Sequence, residues 1–302
     1  MEENFRTDLA DERLADVKVR KNVIDGIEQN VTKYSRKIKV IETKVLNENG
    51  SKLISKPIGN YTTIAFEDKN IVSKTNFQKL KKAFYKVLQK YLEFEGPILV
   101  VGLGNKEMSA DYLGPKVIDD IDVHVAVKNS LTGNEIEKSK RIVYAISPGV
   151  IGTTGMETSD IINGVISKVD VSSIIIIDSL KSQKVSRLFK TIQITDTGIT
   201  PGAGVGNRRK EISSSTTGKK VIAIGVPTVV DTQTIISDTI EILSNRIKEF
   251  SFMNELSFDE KNKILRSALE DNDGKMVVMP KEIDCLVDNM KDIISYGINN
   301  AV

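Results

Sequence analysis

Pro97-Ile98-Leu99-Val100-Val101-Gly102-Leu103-Gly104-Asn105 is the stretch that decides the fold. It is a short, continuous apolar run that breaks into glycines and then into a helical stretch. A strand buried on both faces needs such a run, because neither side of its pleat meets water. Similar runs recur at 141–146, 173–177, 191–195 and 221–225. Helical spacing is expected near 109–122, 157–168, 229–248, 259–270 and 280–297. Short buried strands alternating with helices predict an α/β domain: a mainly parallel, twisted sheet flanked by helices.

Upstream the texture differs. Ile38, Val40 and Val45 lie among charges, and Tyr61 to Phe66 repeats the β-branched and aromatic pattern. Asn47, Asn49 and Gly50 supply turn residues between the two stretches, which predicts an N-terminal antiparallel elaboration. Phe77, Leu80, Phe84, Leu88 and Tyr91 recur at three- and four-residue spacing, the signature of an amphipathic helix over 73–94. Residues 1–20 are polar and charged and are expected to form a mobile arm leading into a short helix. No repeat or low-complexity linker divides the rest, so one domain is expected.

Composition removes several classes of function. Among 302 residues, 43 basic and 41 acidic side chains leave a net charge of +2, which provides no electrostatic reason for a nucleic-acid partner. The single cysteine, Cys285, forms no intramolecular disulfide and fits a reducing compartment. Its neighbours Ile283 and Leu286 predict a core thiol. Met1–Arg20 lacks an apolar signal-peptide core, and no apolar run approaches the roughly 20 residues a membrane span needs. A cytoplasmic protein with no membrane partner is expected.

Ligands of open α/β sheets bind beyond the carboxyl ends of the strands. Those ends carry Asn105, Asp111, Asp178, Asp196 and Asp231 here. Aspartates after strands are often turn formers or helix caps, which suffices for Asp231. Asp178 reads either way. Asp196 opens a loop holding Gly198, Gly202, Gly204 and Gly206, where backbone can approach a bound peptide. Gly102-Leu103-Gly104-Asn105-Lys106-Glu107 lacks the third glycine of a dinucleotide fingerprint, and no phosphate-cradling GxxxxGK[ST] occurs. His124, the only histidine, lies in an apolar stretch and suits packing better than base catalysis. Zinc would want several His or Cys ligands. A hard cation held by carboxylates stays open, although no cofactor or metal is expected. Carboxylates remain: two that share a proton can activate a water and polarise a carbonyl.

The segments Arg6–Ala10, Gly59–Ile64, Val101–Asn105 with Asp111–Pro115, Ser147–Val150 through Thr158, Ile194–Asn207 and Ile224–Asp231 occur in an order that resembles the germination proteases of spore-forming Firmicutes. The resemblance covers nearly the whole chain. It implies an endopeptidase that starts degradation of small acid-soluble spore proteins in the forespore or spore core, assembled as a homotetramer. The family's fold is similar to that of hydrogenase maturation peptidases. Its two essential aspartates fall on Asp111 and Asp196, with Asp178, Asn105, Gly198 and Glu157 as supporting residues. Loop 197–207 and segment 147–158 would shape the substrate groove. The resemblance also implies a self-processing zymogen. Thr7-Asp8-Leu9-Ala10 looks like the substrate's cleavage sequence, so a cut between Asp8 and Leu9 is expected, leaving 1–8 as propeptide and 9–302 as the peptidase domain. The alternatives are a metal-assisted peptidase using Asp111, Asp178 and Asp196, and a catalytically silent spore-protein binder.

Overall fold

The computed structural model describes residues 7–20, 25–67, 74–92, 95–124, 141–201, 209–232 and 277–302, with isolated positions at 235, 236, 239, 243 and 260. The helix expected over 259–270, most of that over 229–248 and the glycines at 202–206 lie outside the described residues.

The parallel centre consists of β4 (Ile98–Gly102), β5 (Val143–Ile146), β6 (Ser173–Lys181) and β8 (Lys220–Asp231), in the spatial order β8-β6-β4-β5. Ile174–Ile177 of β6 are each 0% exposed, which is why that run shows no alternation. Each such side chain contributes about 1.5–3 kcal/mol by leaving water. Alternate residues feed two cores. Ile175 and Ile177 pack with α3 (Lys74–Tyr91), α4 (Leu113–Ile118) and the last helix (Ile283–Ala301), whereas Ile174 and Ile176 pack with α6 (Thr158–Ile166).

The antiparallel part is wider than the sequence predicts. β1 (Ile27–Ser35), β2 (Ile38–Val45) and β3 (Gly59–Phe66) pair in antiparallel order, and α2 (Glu48–Ile54) joins β2 to β3 in place of a simple turn. Asn47 caps α2, its side chain accepting the Gly50 N–H at 3.0 Å. β7 (Thr191–Thr195), expected to run with the parallel strands, runs against both β3 and β8 and joins the two halves of the sheet. Its buried face pairs β-branched residues with β3, and antiparallel pairing satisfies their backbone groups as well as parallel pairing would.

The last helix turns Ile283, Val287, Met290 and Ile294 inward. Cys285 falls on the opposite side and is exposed, correcting its reading as a core thiol. His124 forms an isolated antiparallel bridge to Val143 through two main-chain hydrogen bonds. No described helix is long and apolar enough to cross a membrane.

Two glycines let β4 and α4 meet backbone to backbone. A Cβ on Gly102 would stand 2.2 Å from the Gly114 carbonyl oxygen, and one on Gly114 would stand 2.2 Å from the Leu103 carbonyl oxygen. No side-chain rotation relieves a clash with backbone. Gly114→Ala should therefore cost about 1–3 kcal/mol in a urea titration. An unchanged unfolding midpoint would contradict this close approach.

Candidate active site

β6 does not end at Ile177 as its apolar run suggests; it continues through Asp178 to Lys181. Asp178 is therefore part of a buried strand, 7% exposed, and not a turn former. Its Cβ points to the side shared by Ile174 and Ile176. Register places Asp178 opposite Gly225 of β8, and Gly225 opposite Gln193 of β7. Asp178, Gly225 and Gln193 thus form one row across three strands on a single face.

Asp111 comes to this row from β4. After Gly102 the chain turns at Gly104, whose φ of +124° and a virtual Cβ only 1.9 Å from the Asp111 carbonyl oxygen admit glycine alone. The Asn105 N–H donates to the Asp111 carbonyl at 3.1 Å and to Asp111 Oδ2 at 2.9 Å. The Thr228 hydroxyl donates to the Ala110 carbonyl at 2.7 Å, tying this turn to β8. Asn105 thus positions Asp111 through its main chain.

Burial pushes the Asp178 carboxyl well above the usual carboxylate range, and the neighbouring Asp111 carboxylate pushes it further. The Ser179 N–H, 2.9 Å from Asp178 Oδ1, and the Arg209 guanidinium act in the opposite direction. Burial also raises Asp111, opposed by the Asn105 N–H and Arg209. Two raised carboxyl groups within electrostatic reach, with a cation beside both, make an arrangement that keeps a proton where most carboxylates lose theirs. Arg209 was not singled out from the sequence; it follows the glycine-rich loop with no periodicity to mark it. Its neighbour Lys210 reaches both carboxylate oxygens of Asp160, at 2.8 and 2.9 Å, on α6. Glu157, at the start of α6, contributes to the field at Lys210, so it belongs to the rim.

Asp196 stands elsewhere. Because β7 runs against β8, its carboxyl end lies at the amino end of the parallel strands. Thr195 pairs with Ala223, which sets Asp196 level with Ile222, while Asp178 is level with Gly225. The two aspartates are therefore roughly 10 Å apart along the strands and about 10 Å apart across them. The expected pairing of Asp111 with Asp196 does not form in this structure. Asp196 instead clamps the start of β3: Oδ1 accepts the Asn60 N–H at 2.8 Å and Oδ2 accepts the Asn60 side-chain amide at 2.6 Å. Its surroundings are an open groove of about 800 Å³ lined by Glu28, Glu42, Lys44, Tyr91 and Lys220 among others, which includes neither Asp111 nor Asp178. Gly198, at φ +84°, lets the loop after β7 close against Ile212, where a Cβ would meet the carbonyl oxygen at 2.3 Å.

The N-terminal arm is not free over its described part. Leu9 and Ala10 are fully buried, ahead of α1 (Ala10–Arg20) and at its first residue. The Asp8 N–H donates to the Lys181 carbonyl, and the Lys181 N–H donates to Asp8 Oδ2, both at 2.8 Å. Arg13 holds the Thr7 carbonyl at 2.8 Å and the Ser55 carbonyl at 2.7 Å. Lys56 lies close enough to Asp8 to feel its charge; burial and Arg13 lower its ammonium to about 8. Asp11 pairs with Arg187, and the buried Glu12 accepts from the Gln183 N–H at 2.9 Å. The arm was expected to be accessible because its charges dominate the composition. The apolar pair Leu9-Ala10 and specific partners for Asp8, Asp11 and Glu12 explain its seating. Among the described residues no three His, Cys, Asp or Glu side chains form a group that holds a metal.

A carboxyl raised in the fold loses protons in the unfolded chain first, so stability falls as pH rises above the usual carboxylate range. Asp178→Asn removes that slope. Its melting temperature relative to the parent should rise between about pH 4 and pH 8; a parent that gains on the variant over this interval would contradict the buried, raised carboxyl.

A profile of the germination protease family matches residues 6–251. The chain is 42% identical to a germination protease of Clostridium tetani over 99% of its own length and 95% of that protein's. It is 40% identical to one from Caldanaerobacter subterraneus, covering 88% and 85%, and 36% identical to one from Bacillus thuringiensis, covering 99% and 94%. Among solved structures, a NiFe hydrogenase maturation protease from Thermococcus kodakarensis KOD1 is similar with a TM-score of 0.30 and 17% identity, over 47% of this chain and 80% of that one.

Proposed function

Since the chain belongs to the germination protease family and is a peptidase, we propose that Asp111 and Asp178 are its water-activating pair. The observation that carries this reading is a strand-embedded carboxyl, 7% exposed, raised by burial and by a second carboxyl that a glycine turn delivers beside it. In the proposed reaction Asp111, half-buried and ionised, takes a proton from water as the oxygen attacks the peptide carbonyl carbon. Asp178, holding its proton, donates to the carbonyl oxygen, so the tetrahedral intermediate forms as a neutral diol. When it collapses, the proton on Asp111 passes to the amide nitrogen, the carbon–nitrogen bond breaks and Asp178 is reprotonated from the diol. Arg209 lies near both carboxyl groups and limits the build-up of negative charge.

The substrate proposed is a small acid-soluble spore protein, cut by a cytoplasmic enzyme of the spore core that works as a homotetramer. A self-processing step between Asp8 and Leu9 belongs to the same proposal. The buried Leu9 and Ala10 add a condition to it: the arm must be strained or partly released when the bond is cut.

Asp111→Asn and Asp178→Asn should each lower turnover of a purified small acid-soluble spore protein by about a thousandfold with the fold retained. Asp196→Asn should stay within about tenfold of the parent at temperatures where it is folded. Abolished turnover in Asp196→Asn, or near-parental turnover in Asp178→Asn, would replace this pair with another.

A further inference from the structure

The net charge of +2 conceals a lopsided surface. No acidic residue occurs in 31–41, which spans the turn of the β1–β2 hairpin, or in 74–92, which spans α3. The hairpin carries Lys33, Arg36, Lys37 and Lys39, all exposed, with Arg36 and Lys37 as its two turn residues. α3 carries Lys79, Lys82, Lys86 and Lys90 at three- and four-residue spacing, so they form one exposed stripe along its axis.

The two groups are neighbours. Ile38 and Val40 share a core with Leu80, Phe84 and Leu88, which seats the hairpin on the helix. The Lys86 ammonium lies over the Tyr34 ring, 5.8 Å from its centre, and Lys90 reaches Glu42 at 2.9 Å. The stripe therefore runs beside β1, the outermost strand of the sheet. β2, β3, β7 and β8 separate it from β6, so it lies away from Asp178 and the turn that carries Asp111.

A merely solvated helix face interleaves acids with its lysines, because like charges at this spacing repel. α3 has no such acid. Glu42 answers Lys90 and Glu67 answers Lys39. Among the described residues Lys33, Arg36, Lys79, Lys82 and Lys86 pair with no carboxylate. A polyanion laid along them relieves the repulsion. Lys79 and Lys90 stand about 16 Å apart along the helix axis, a length over which a nucleic-acid duplex presents about nine charges. The rings nearby, Tyr34 and Tyr85, are half-buried, which favours phosphate contact over stacking on single-stranded bases. Val31 is the one exposed large hydrophobic among the described residues of these two stretches, too little to anchor the surface in a bilayer.

We propose that the tip of the β1–β2 hairpin and the outer stripe of α3 form a docking surface for the phosphate backbone of a nucleic-acid duplex. It holds the peptidase beside nucleic acid and leaves the carboxyl pair free to work. The surface does not depend on which aspartates carry the chemistry.

The test uses the full chain and a fluorescein-labelled, mixed-sequence DNA duplex, followed by anisotropy as salt is raised. The parent should bind at low salt, and log affinity should fall against log salt with a slope of about −4 to −5, for roughly five phosphates neutralised. Replacing Lys79, Lys82 and Lys86 together by glutamine should weaken binding about tenfold or more and flatten the slope by about 2 to 3. Replacing Lys52, Lys168 and Lys281, which are exposed elsewhere, removes the same charge and should leave both nearly unchanged. Turnover of free substrate should match the parent in both variants, which also shows that they are folded. No binding at low salt, or equal losses in the two triple variants, would overturn the proposal. So would tighter binding to polyglutamate or to phosphatidylglycerol vesicles than to the duplex.

Discussion

The direction of β7 is the constraint on which the site depends. Running antiparallel to β8, it joins the β1–β3 meander to the parallel strands in one sheet. The same reversal sends the residue after it, Asp196, to the amino ends of the parallel strands, away from the turn that carries Asp111. What β7 contributes to the other end is a side chain from its middle. Gln193 shares a cross-strand row with Gly225 and Asp178, the Leu180 side chain covering Gly225 between them, and its amide is hydrogen-bonded to the N-terminal segment.

Two features then set the electrostatics. A carboxyl inside a strand is desolvated by the sheet itself, so the burial that encloses Ile176 beside it also raises Asp178 well above the usual carboxylate range. The second carboxyl is brought in by close backbone contacts at Gly102, Gly104 and Gly114, positions where a Cβ would collide with main chain. Glycine here serves approach and not flexibility. Arg209 tempers the repulsion between the two acids, and Lys210, one residue on, is tied to α6 through Asp160.

Much of this was legible in the sequence. The unbroken apolar runs marked β4, β6 and β8 because strands buried on both sides cannot alternate. The spacing of Leu80, Phe84 and Leu88 marked α3 because one face of it meets the sheet. The glycines after Val101 marked where β4 ends. The rest was hidden for definite reasons. Strand direction leaves no trace in a five-residue run such as Thr191–Thr195, so nothing in the residues opposed the pairing of Asp111 with Asp196 that the family resemblance implied. The β6 run seemed to stop where polarity began, although pairing with β8 continues past Asp178 to Lys181. A charged opening segment looked mobile because the partners that seat it, Lys181, Gln183, Arg187 and Gln193, are more than 170 residues away. Burial of Cys285 was misjudged by its neighbours in sequence, whereas helical phase turns it outward.

The central claim is that Asp111 and Asp178, and not Asp196, share the chemistry. Carboxyl carbon chemical shifts, followed by NMR as pH is raised on chain labelled at aspartate, test it most directly. Asp178 should hold its proton well above the usual carboxylate range, and its titration should change when Asp111 is replaced by asparagine but not when Asp196 is. Ionisation of Asp178 in the ordinary acid range, or a response to Asp196 in place of Asp111, would contradict the account.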